Sequence, residues 1–193
     1  MRIDVWFVML PGVLSLDMTG PAETFVLAGD AFRLHYVGPQ PDVQTSIGLT
    51  MSGIQPLPER LPEGSLLVLP GVSDSRSQFS TPQAQQIQHW RLQPIIQRRD
   101  ITVMCVCSGA LLAAKSGLLN NRQCTTHHDV ISRLRTAAPT ATIKENRIFV
   151  QDENFDFSYR PSVQTENEDL CAGREHLDQR GDHVGHRPGA AYD

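Results

Sequence analysis

The sequence has no long hydrophobic run and no strong net charge. No apolar stretch approaches the roughly 18 residues of a membrane-spanning helix, and the net charge over 193 residues is only -4. Because opposite charges nearly cancel, the composition argues against a basic surface for nucleic acid or for an anionic membrane. We therefore expect no direct nucleic-acid binding by this chain and no membrane association.

The sequence lacks the cysteine pattern of a disulfide framework, and the start of the chain lacks the features of a secretory signal. The four cysteines, at positions 105, 107, 124 and 171, do not form the pattern of a disulfide framework in a domain of this size. A metal site would need a second pair to match Cys105 and Cys107, so we predict no metal and no cofactor. The first residues show neither a basic start nor a small-residue cleavage site, which indicates a reducing, cytoplasmic location.

One stretch, residues 100–117, organises the chain. Residues 101–106 are apolar and β-branched without alternation, which is typical of a strand buried on both faces of a parallel sheet. Cys107 falls where this strand must turn, and Gly109 with the small residues after it predicts a helix that ends with the stretch. Helix N–H groups aimed at the turn would acidify a thiol there. On spacing alone, an inert buried residue like Cys105 is an equally good interpretation.

Further apolar runs predict the rest of the sheet. Residues 3–10, which are followed by Pro11-Gly12, and residues 66–71, which end in Pro-Gly, both predict buried strands. The second strand delivers a loop to the edge that carries Cys107. Residues 32–38 predict another strand, and residues 43–56 short strands or a hairpin. Strands that alternate with helices predict an α/β fold, a flavodoxin-like doubly wound and mainly parallel sheet with helices on both faces. Sites in such folds form beyond the carboxyl ends of the strands.

Proline and cap residues mark the helix starts. Pro21 predicts a helix that begins near it, which leaves Asp17 in the preceding loop. Thr81 is the predicted N-cap of a second helix over residues 82–98. A further helix is expected over residues 129–137.

Asp17 and His127 are candidate partners of the thiol. The Asp17 carboxyl could simply accept hydrogen bonds from the backbone of its turn, or it could share a proton with a thiol at the strand edge. His127 precedes a helix together with His128, and adjacent side chains at a helix start point in different directions, so at most one of them faces a site. A structural role is the commoner one for a lone histidine. With Gly71 and Cys107, these residues converge on one edge.

These motifs resemble the ThiJ/PfpI group of class I glutamine-amidotransferase-like domains and, within it, the amino-terminal ligand-sensing domain of AraC-type transcription regulators. The resemblance rests on residues 9–25, 66–71, 107–119, 124–127 and 141–150. It covers about the first 150 residues. The resemblance implies an α/β domain with a nucleophile elbow.

The resemblance also implies roles for individual residues. Cys107 would be the reactive thiol and Asp17 the carboxyl that holds it. The loop at residues 71–72 would offer backbone N–H groups to a bound group, and Ser108 could hydrogen-bond an intermediate. His127 matches the family's Thr-His position near the pocket.

The chain departs from the family pattern at two places. Many relatives have Pro-Gly-Gly where this chain has Pro-Gly-Val72, and a valine restricts the backbone of the loop. We assign residues 1–152 to the domain and predict that the polar residues 153–193 form a disordered tail. The carboxyl-terminal part of the family domain and the DNA-binding helices would then be missing through truncation or a reading-frame change. We expect the uncovered sheet edge to be sheltered by a homodimer.

Two classes of function follow. The first is the ligand-sensing domain of an AraC-type regulator, truncated and without its helix-turn-helix part, because residues 118–127 resemble regulators. Its small-molecule ligand is unidentified. The alternative is an enzyme similar to isonitrile hydratase, in which the Cys107 thiolate attacks the isonitrile carbon and Asp17 relays a proton. Peptidase activity ranks third, since family proteases place a histidine beside the elbow cysteine and this chain has Ser108.

Overall fold

The apolar runs of the sequence form the strands of one central sheet. A computed structural model describes residues 2–92, 100–153 and 155–158. The strands are β1 (Ile3–Val8), β2 (Phe32–Gly38), β3 (Asp42–Gln44), β4 (Thr50–Ser52), β5 (Gln55–Pro56), β6 (Leu66–Leu69), β7 (Thr102–Val106), β8 (Gln123–Cys124), β9 (Thr142–Ile143), β10 (Phe149–Asp152) and β11 (Phe155–Ser158). The α-helices are α1 (Ser15–Leu27), α2 (Pro82–Ile87), α3 (Gly109–Lys115) and α4 (Ile131–Ala137).

In the described residues the central sheet has seven strands, in the order β10-β11-β7-β6-β1-β2-β5. Every neighbouring pair from β11 to β5 is parallel, and only the β10–β11 pair at the edge is antiparallel. The predicted mainly parallel α/β sheet is therefore confirmed. The predicted hairpin is present as the antiparallel pair of β3 and β4.

Alternate residues of the strands supply two hydrophobic clusters, one on each face of the sheet. On one face Trp6, Leu67 and Val103 pack with α2, α3 and α4. On the other face Phe7 packs with Met18 of α1 and the rest of the second cluster. Helices thus cover both faces, as predicted, and parallel strands buried on both sides explain the continuous apolar runs of the sequence.

Helix α1 begins earlier than the sequence predicted. The prediction placed its start near Pro21, but the helix starts at Ser15 and contains Pro21 in its interior. Proline removes one backbone donor from a helix, yet the helix continues because Met18 and Ala22 are buried against the sheet. Tertiary packing overrides the local signal, and Asp17 consequently lies in the first helical turn rather than in a loop.

Helix α2 begins at the predicted residue. Within the described residues, its α-helical part is shorter than predicted. The Thr81 hydroxyl accepts a hydrogen bond of 3.2 Å from the Ala84 N–H, and proline occupies the first turn. The α-helix ends at Ile87 and is followed by a π-helical turn over Gln88–Leu92. The remainder of the predicted helix, residues 93–99, lies outside the described residues. The helix predicted over residues 129–137 is divided into a 3₁₀ turn and α4.

The sheet continues beyond the predicted domain end at residue 152. Strand β11 follows that boundary and pairs with β7 in parallel. Residues 159–193, most of the predicted polar tail, lie outside the described residues. None of the helices in the described part combines the length and the apolar character that a membrane crossing requires.

The amino ends of β1 and β2 carry a charged cluster that the sequence did not reveal. Asp4 accepts two hydrogen bonds from Arg33, of 2.6 Å from Nε and 3.0 Å from Nη2, and lies 2.7 Å from His35 Nε2. The His35 ring stacks on Trp6 with ring centroids 4.0 Å apart. The hydrogen bonds from Arg33 are the main reason that the pKa of Asp4 falls to about 2.

Candidate functional site

The turn between β7 and α3 holds Cys107 in a left-handed backbone conformation. Its φ is +52°, in a region that non-glycine residues rarely adopt. Such a conformation costs on the order of 1 kcal/mol or more and persists only where the surrounding structure enforces it. The side chain is only 6% exposed. The structure therefore has the sharp strand-to-helix elbow that the sequence predicted, with the thiol at the carboxyl end of the sheet.

Helix α3 is fixed to the sheet by a glycine and closed by another. A Cβ at Gly109 would lie 1.9 Å from the Leu69 carbonyl oxygen, so only glycine permits the helix to pack this closely on β6. At its other end Gly117 has a φ of +76°. The Gly117 N–H donates a hydrogen bond to the Ala114 carbonyl oxygen, and the Leu118 N–H donates one to the Ala113 carbonyl oxygen. This pair of bonds is the Schellman motif of helix ends. The predicted helix end is confirmed.

Gly71 lies against the Asp17 carboxylate and Ser108. A Cβ built on Gly71 would be 2.5 Å from Asp17 Oδ2 and 2.9 Å from Ser108 Oγ. The Gly71 carbonyl accepts a hydrogen bond of 2.9 Å from the Leu14 N–H, which joins the loop after β6 to the start of α1. Asp17 is 2% exposed and Ser108 is 3% exposed. The fold thus gathers these three predicted residues at one buried point beside Cys107.

Ser108 bonds to the loop that was expected to receive a ligand. The Val72 N–H donates a hydrogen bond of 3.0 Å to Ser108 Oγ, and the same hydroxyl lies 3.3 Å from the Val72 carbonyl oxygen. The resemblance assigned that N–H to a bound group, and here a side chain of the protein already satisfies it. Val72 also pairs with Val13 in an isolated antiparallel bridge, which restrains the loop further.

Thr126 is a residue of this site that sequence reasoning did not identify. Its hydroxyl donates a hydrogen bond of 2.8 Å to the Cys107 carbonyl oxygen, and its side chain is 1% exposed. This bond fixes the strained peptide after the elbow cysteine. In the sequence, Thr126 is one of two threonines before His127. A sequence pattern does not show that this threonine contacts Cys107, which lies 19 positions earlier.

The His127 imidazole caps the turn that follows it. Its Nδ1 accepts a hydrogen bond of 3.3 Å from the Asp129 N–H, and its ring lies 4.2 Å from the His128 ring between centroids. These contacts fit the structural role, which is one of the two alternatives that the sequence left open. His127, His128 and Asp129 each offer one donor atom within 4.8 Å of the others and are the group in the described residues that could hold a metal ion.

The three described cysteines are all buried and lie in different surroundings. Cys105 lies within β7, and Cys124 lies in β8. Burial, with a smaller effect from the Asp152 carboxylate, raises the pKa of the Cys124 thiol to about 11. A thiol with that pKa stays protonated at neutral pH and is a poor nucleophile.

Comparison with known proteins agrees with this architecture. A ThiJ/PfpI family protein from Pseudomonas syringae superposes with a TM-score of 0.66 at 19% identity, over 96% of this chain and 77% of that one. An AraC family transcriptional regulator from Pseudomonas putida gives a TM-score of 0.67 at 19% identity, over 91% and 99%. DJ-1 of Schizosaccharomyces pombe gives 0.63 at 20% identity, over 93% of each chain. No curated protein matches the sequence.

The fold and the elbow define an α/β protein with a cysteine at the turn between β7 and α3. The family model of the DJ-1/PfpI family matches residues 4–162. The chain therefore belongs to the DJ-1/PfpI family, and the resemblance noted in the sequence is confirmed.

Proposed function

We propose that this chain is a ligand-sensing domain of the kind found in AraC-type transcription regulators, with its pocket at the carboxyl edge of the sheet around Cys107. The motifs after the elbow support this assignment, and so does the likeness to the Pseudomonas putida regulator, which is covered over 99% of its length. In this proposal the protein acts as a cytoplasmic homodimer that binds a small molecule and makes no direct contact with DNA through this chain.

The observation that carries the proposal is the hydrogen bond between the Val72 N–H and Ser108 Oγ, at 3.0 Å. Covalent catalysis at a thiol needs N–H donors that are directed at the charge that develops on the substrate. In this chain the donor of the loop after β6 is satisfied by Ser108, and the valine in place of a second glycine restricts rearrangement of the loop. A site of this kind is better suited to recognition than to turnover.

A hydratase is the second candidate, and the strained elbow favours it. The left-handed Cys107 and the buried Asp17 beside Gly71 are what an attacking thiolate and a proton relay require. In that reaction the thiolate adds to the isonitrile carbon and Asp17 supplies the proton for that carbon. Water then adds to the thioimidate, the thiol leaves, and an N-substituted formamide is released.

The experiment that separates the two functions is a turnover assay with an aliphatic isonitrile, in which formamide is quantified by NMR. The sensor proposal expects the same background rate in the wild type, in Cys107→Ser and in the matched control Cys124→Ser. Formamide production that Cys107→Ser abolishes and Cys124→Ser retains would overturn the sensor proposal in favour of the hydratase.

A second measurement tests the sensing domain directly. A thermal-shift screen with small polar metabolites is expected to give compounds that raise the melting temperature of both the wild type and Cys107→Ser, because recognition does not require the nucleophile. The Asp17→Asn variant should weaken the response. The sensing proposal would be contradicted if every stabilising compound depended on a covalent bond to Cys107. Light scattering measures separately whether the protein is the expected dimer.

A further inference from the structure

A cavity lies between helices α3 and α4 and the loop after β6, and Cys107 is not among its lining residues. Its volume is about 470 Å³. Three of its lining residues are cationic and come from different segments: Arg76 from the loop, Lys115 from α3 and Arg133 from α4. Leu111 and Ala137 form an apolar part of the wall. Charged groups beside an apolar wall are typical of a small-molecule site.

Arg133 is held in the cavity by a buried hydroxyl. Its Nη1 donates a hydrogen bond of 2.8 Å to Ser75 Oγ, and Ser75 is 8% exposed. A guanidinium carries several N–H donors in a fixed plane, so this single bond orients the group and leaves other donors for a ligand. Arg133 is therefore the best positioned of the three cations.

Lys115 is fixed at the edge of the same cavity. Its ammonium donates to the Phe79 carbonyl oxygen at 3.2 Å and to Ser80 Oγ at 3.0 Å. An ammonium has one more donor than these two bonds use. Because both acceptors are neutral, the positive charge is oriented but not neutralised.

Of the three cations, Arg76 adds the least net positive charge to the cavity. The nearby Asp74 carboxylate accepts hydrogen bonds from the Arg76 and Ser77 N–H groups and from the Ser77 hydroxyl. This negative charge offsets part of the positive charge on Arg76. Within the described part of the chain, however, none of the three cations forms an ion pair, and none of the described lining residues is acidic.

We propose that this cavity binds a small organic anion, a carboxylate or a phosphate ester. Arg133 and Lys115 hold the charged group, and Leu111 with Ala137 contacts the apolar body of the ligand. Three positive charges around one cavity repel one another, and a bound anion removes that repulsion while it gains charge-assisted hydrogen bonds. This inference is independent of the function proposed for the Cys107 edge, because no part of it uses the thiol.

Isothermal titration calorimetry at low ionic strength tests the proposal with four probes: benzoate, phenyl phosphate, inorganic phosphate and the neutral benzamide. We expect one site for benzoate or phenyl phosphate, with the tighter of the two identifying the preferred head group. Inorganic phosphate should bind more weakly, because it lacks the apolar body, and benzamide should not bind. Cys107→Ser should bind as the wild type does.

Charge-removing variants locate the site. We expect Arg133→Gln to raise the dissociation constant about tenfold, Lys115→Gln by less, and Arg76→Gln about twofold. Arg133→Lys keeps the positive charge and should keep part of the affinity. A thermal melt of each variant checks that it is folded. The matched controls Arg60→Gln and Lys144→Gln remove the same charge from other exposed positions and should leave binding unchanged.

Three results would overturn the proposal. The first is that no organic anion binds to the folded protein. The second is equal binding of benzamide and benzoate, which would show an apolar cavity without charge selection. The third is equal weakening by Arg60→Gln, Lys144→Gln and Arg133→Gln, which would show diffuse attraction to net charge rather than a site.

Discussion

The two ends of the parallel sheet each hold a buried aspartate, in opposite kinds of environment. At the amino ends of β1 and β2, Asp4 receives two hydrogen bonds from Arg33 and lies beside His35. At the carboxyl end, Asp17 faces the backbone of Gly71 and the region of Ser108. One end thus places an arginine and a histidine beside its carboxylate, and the other places its carboxylate against a glycine backbone.

The two environments have different consequences: the first stabilises the fold, and the second shapes the candidate site. The Asp4 cluster keeps a charge satisfied, which lowers the pKa of the carboxyl and stabilises the fold. The carboxyl end instead combines a residue with φ of +52° at Cys107 with close backbone contacts that no larger residue at Gly71 would permit. Strain and close approach are costs that a protein retains at a site, where they position a group.

The largest expected effect comes from the carboxyl end, at Gly109. Gly109→Ala places a Cβ at 1.9 Å from the Leu69 carbonyl oxygen, so α3 must move off the sheet. We expect a loss of about 3 kcal/mol or more in unfolding free energy, measured by urea denaturation. Gly20→Ala is the control, because its nearest neighbour, Leu16 Cδ1, is 3.9 Å away. It should stabilise by about 0.5 kcal/mol. Equal effects would disprove the close packing.

At the amino end, Asp4→Asn should cost about 2 kcal/mol, because it replaces hydrogen bonds between charged groups by weaker ones. The exposed pair of Arg2 and Asp30 gives the control: Asp30→Asn should change stability by less than about 0.5 kcal/mol. Urea denaturation of the two variants at neutral pH makes the comparison. Similar losses in both would show that burial of Asp4 has no special weight.

The acid stability of the same cluster follows from its pKa. The pKa of Asp4 is about 2 in the folded protein and about 3.9 in an unfolded chain. The contribution of Asp4 is therefore complete above about pH 4 and is lost as the pH falls towards 2. Asp4→Asn should remove this part of the pH dependence, measured as unfolding free energy between pH 5 and pH 2. A wild-type profile in the variant would contradict the assignment.

At the carboxyl end, Asp17→Asn should change reactivity more than stability. If the carboxyl supports the thiol, the midpoint of the pH profile of Cys107 alkylation should shift by about one pH unit while the melt stays cooperative. Asp30→Asn serves as the control and should leave the profile unchanged. An unchanged profile in Asp17→Asn would reduce Asp17 to a residue of the first helical turn.

The sequence predicted the carboxyl end of the sheet better than the amino end. The elbow and the buried strands are local features, because apolar runs, small residues and glycine act on their own segment. The Asp4 cluster depends on the register of β1 with β2, which places Asp4 opposite Arg33. A register is set by packing of whole strands, and single residues in sequence order do not reveal it.

Two features of the site could not be predicted from the sequence, and the reasons are physical. Pro21 indicated a helix start, but burial of Met18 and Ala22 extends the helix backward and carries Asp17 with it. The bond from Val72 to Ser108 joins segments 36 positions apart. Only the close approach of α3 to β6 brings them within reach.

The central claim about the elbow is that it makes Cys107 the most reactive thiol of the chain, in a sensor as in an enzyme, and selective labelling tests this claim most directly. Treatment with limiting iodoacetamide near pH 8, followed by mass spectrometry of peptides, ranks the thiols. Burial keeps the pKa of Cys124 at about 11, so only roughly one part in a thousand of that thiol is ionised at this pH. We predict that Cys107 is labelled first, before the other cysteines. Labelling of Cys124 before Cys107, or at the same rate, would contradict the account.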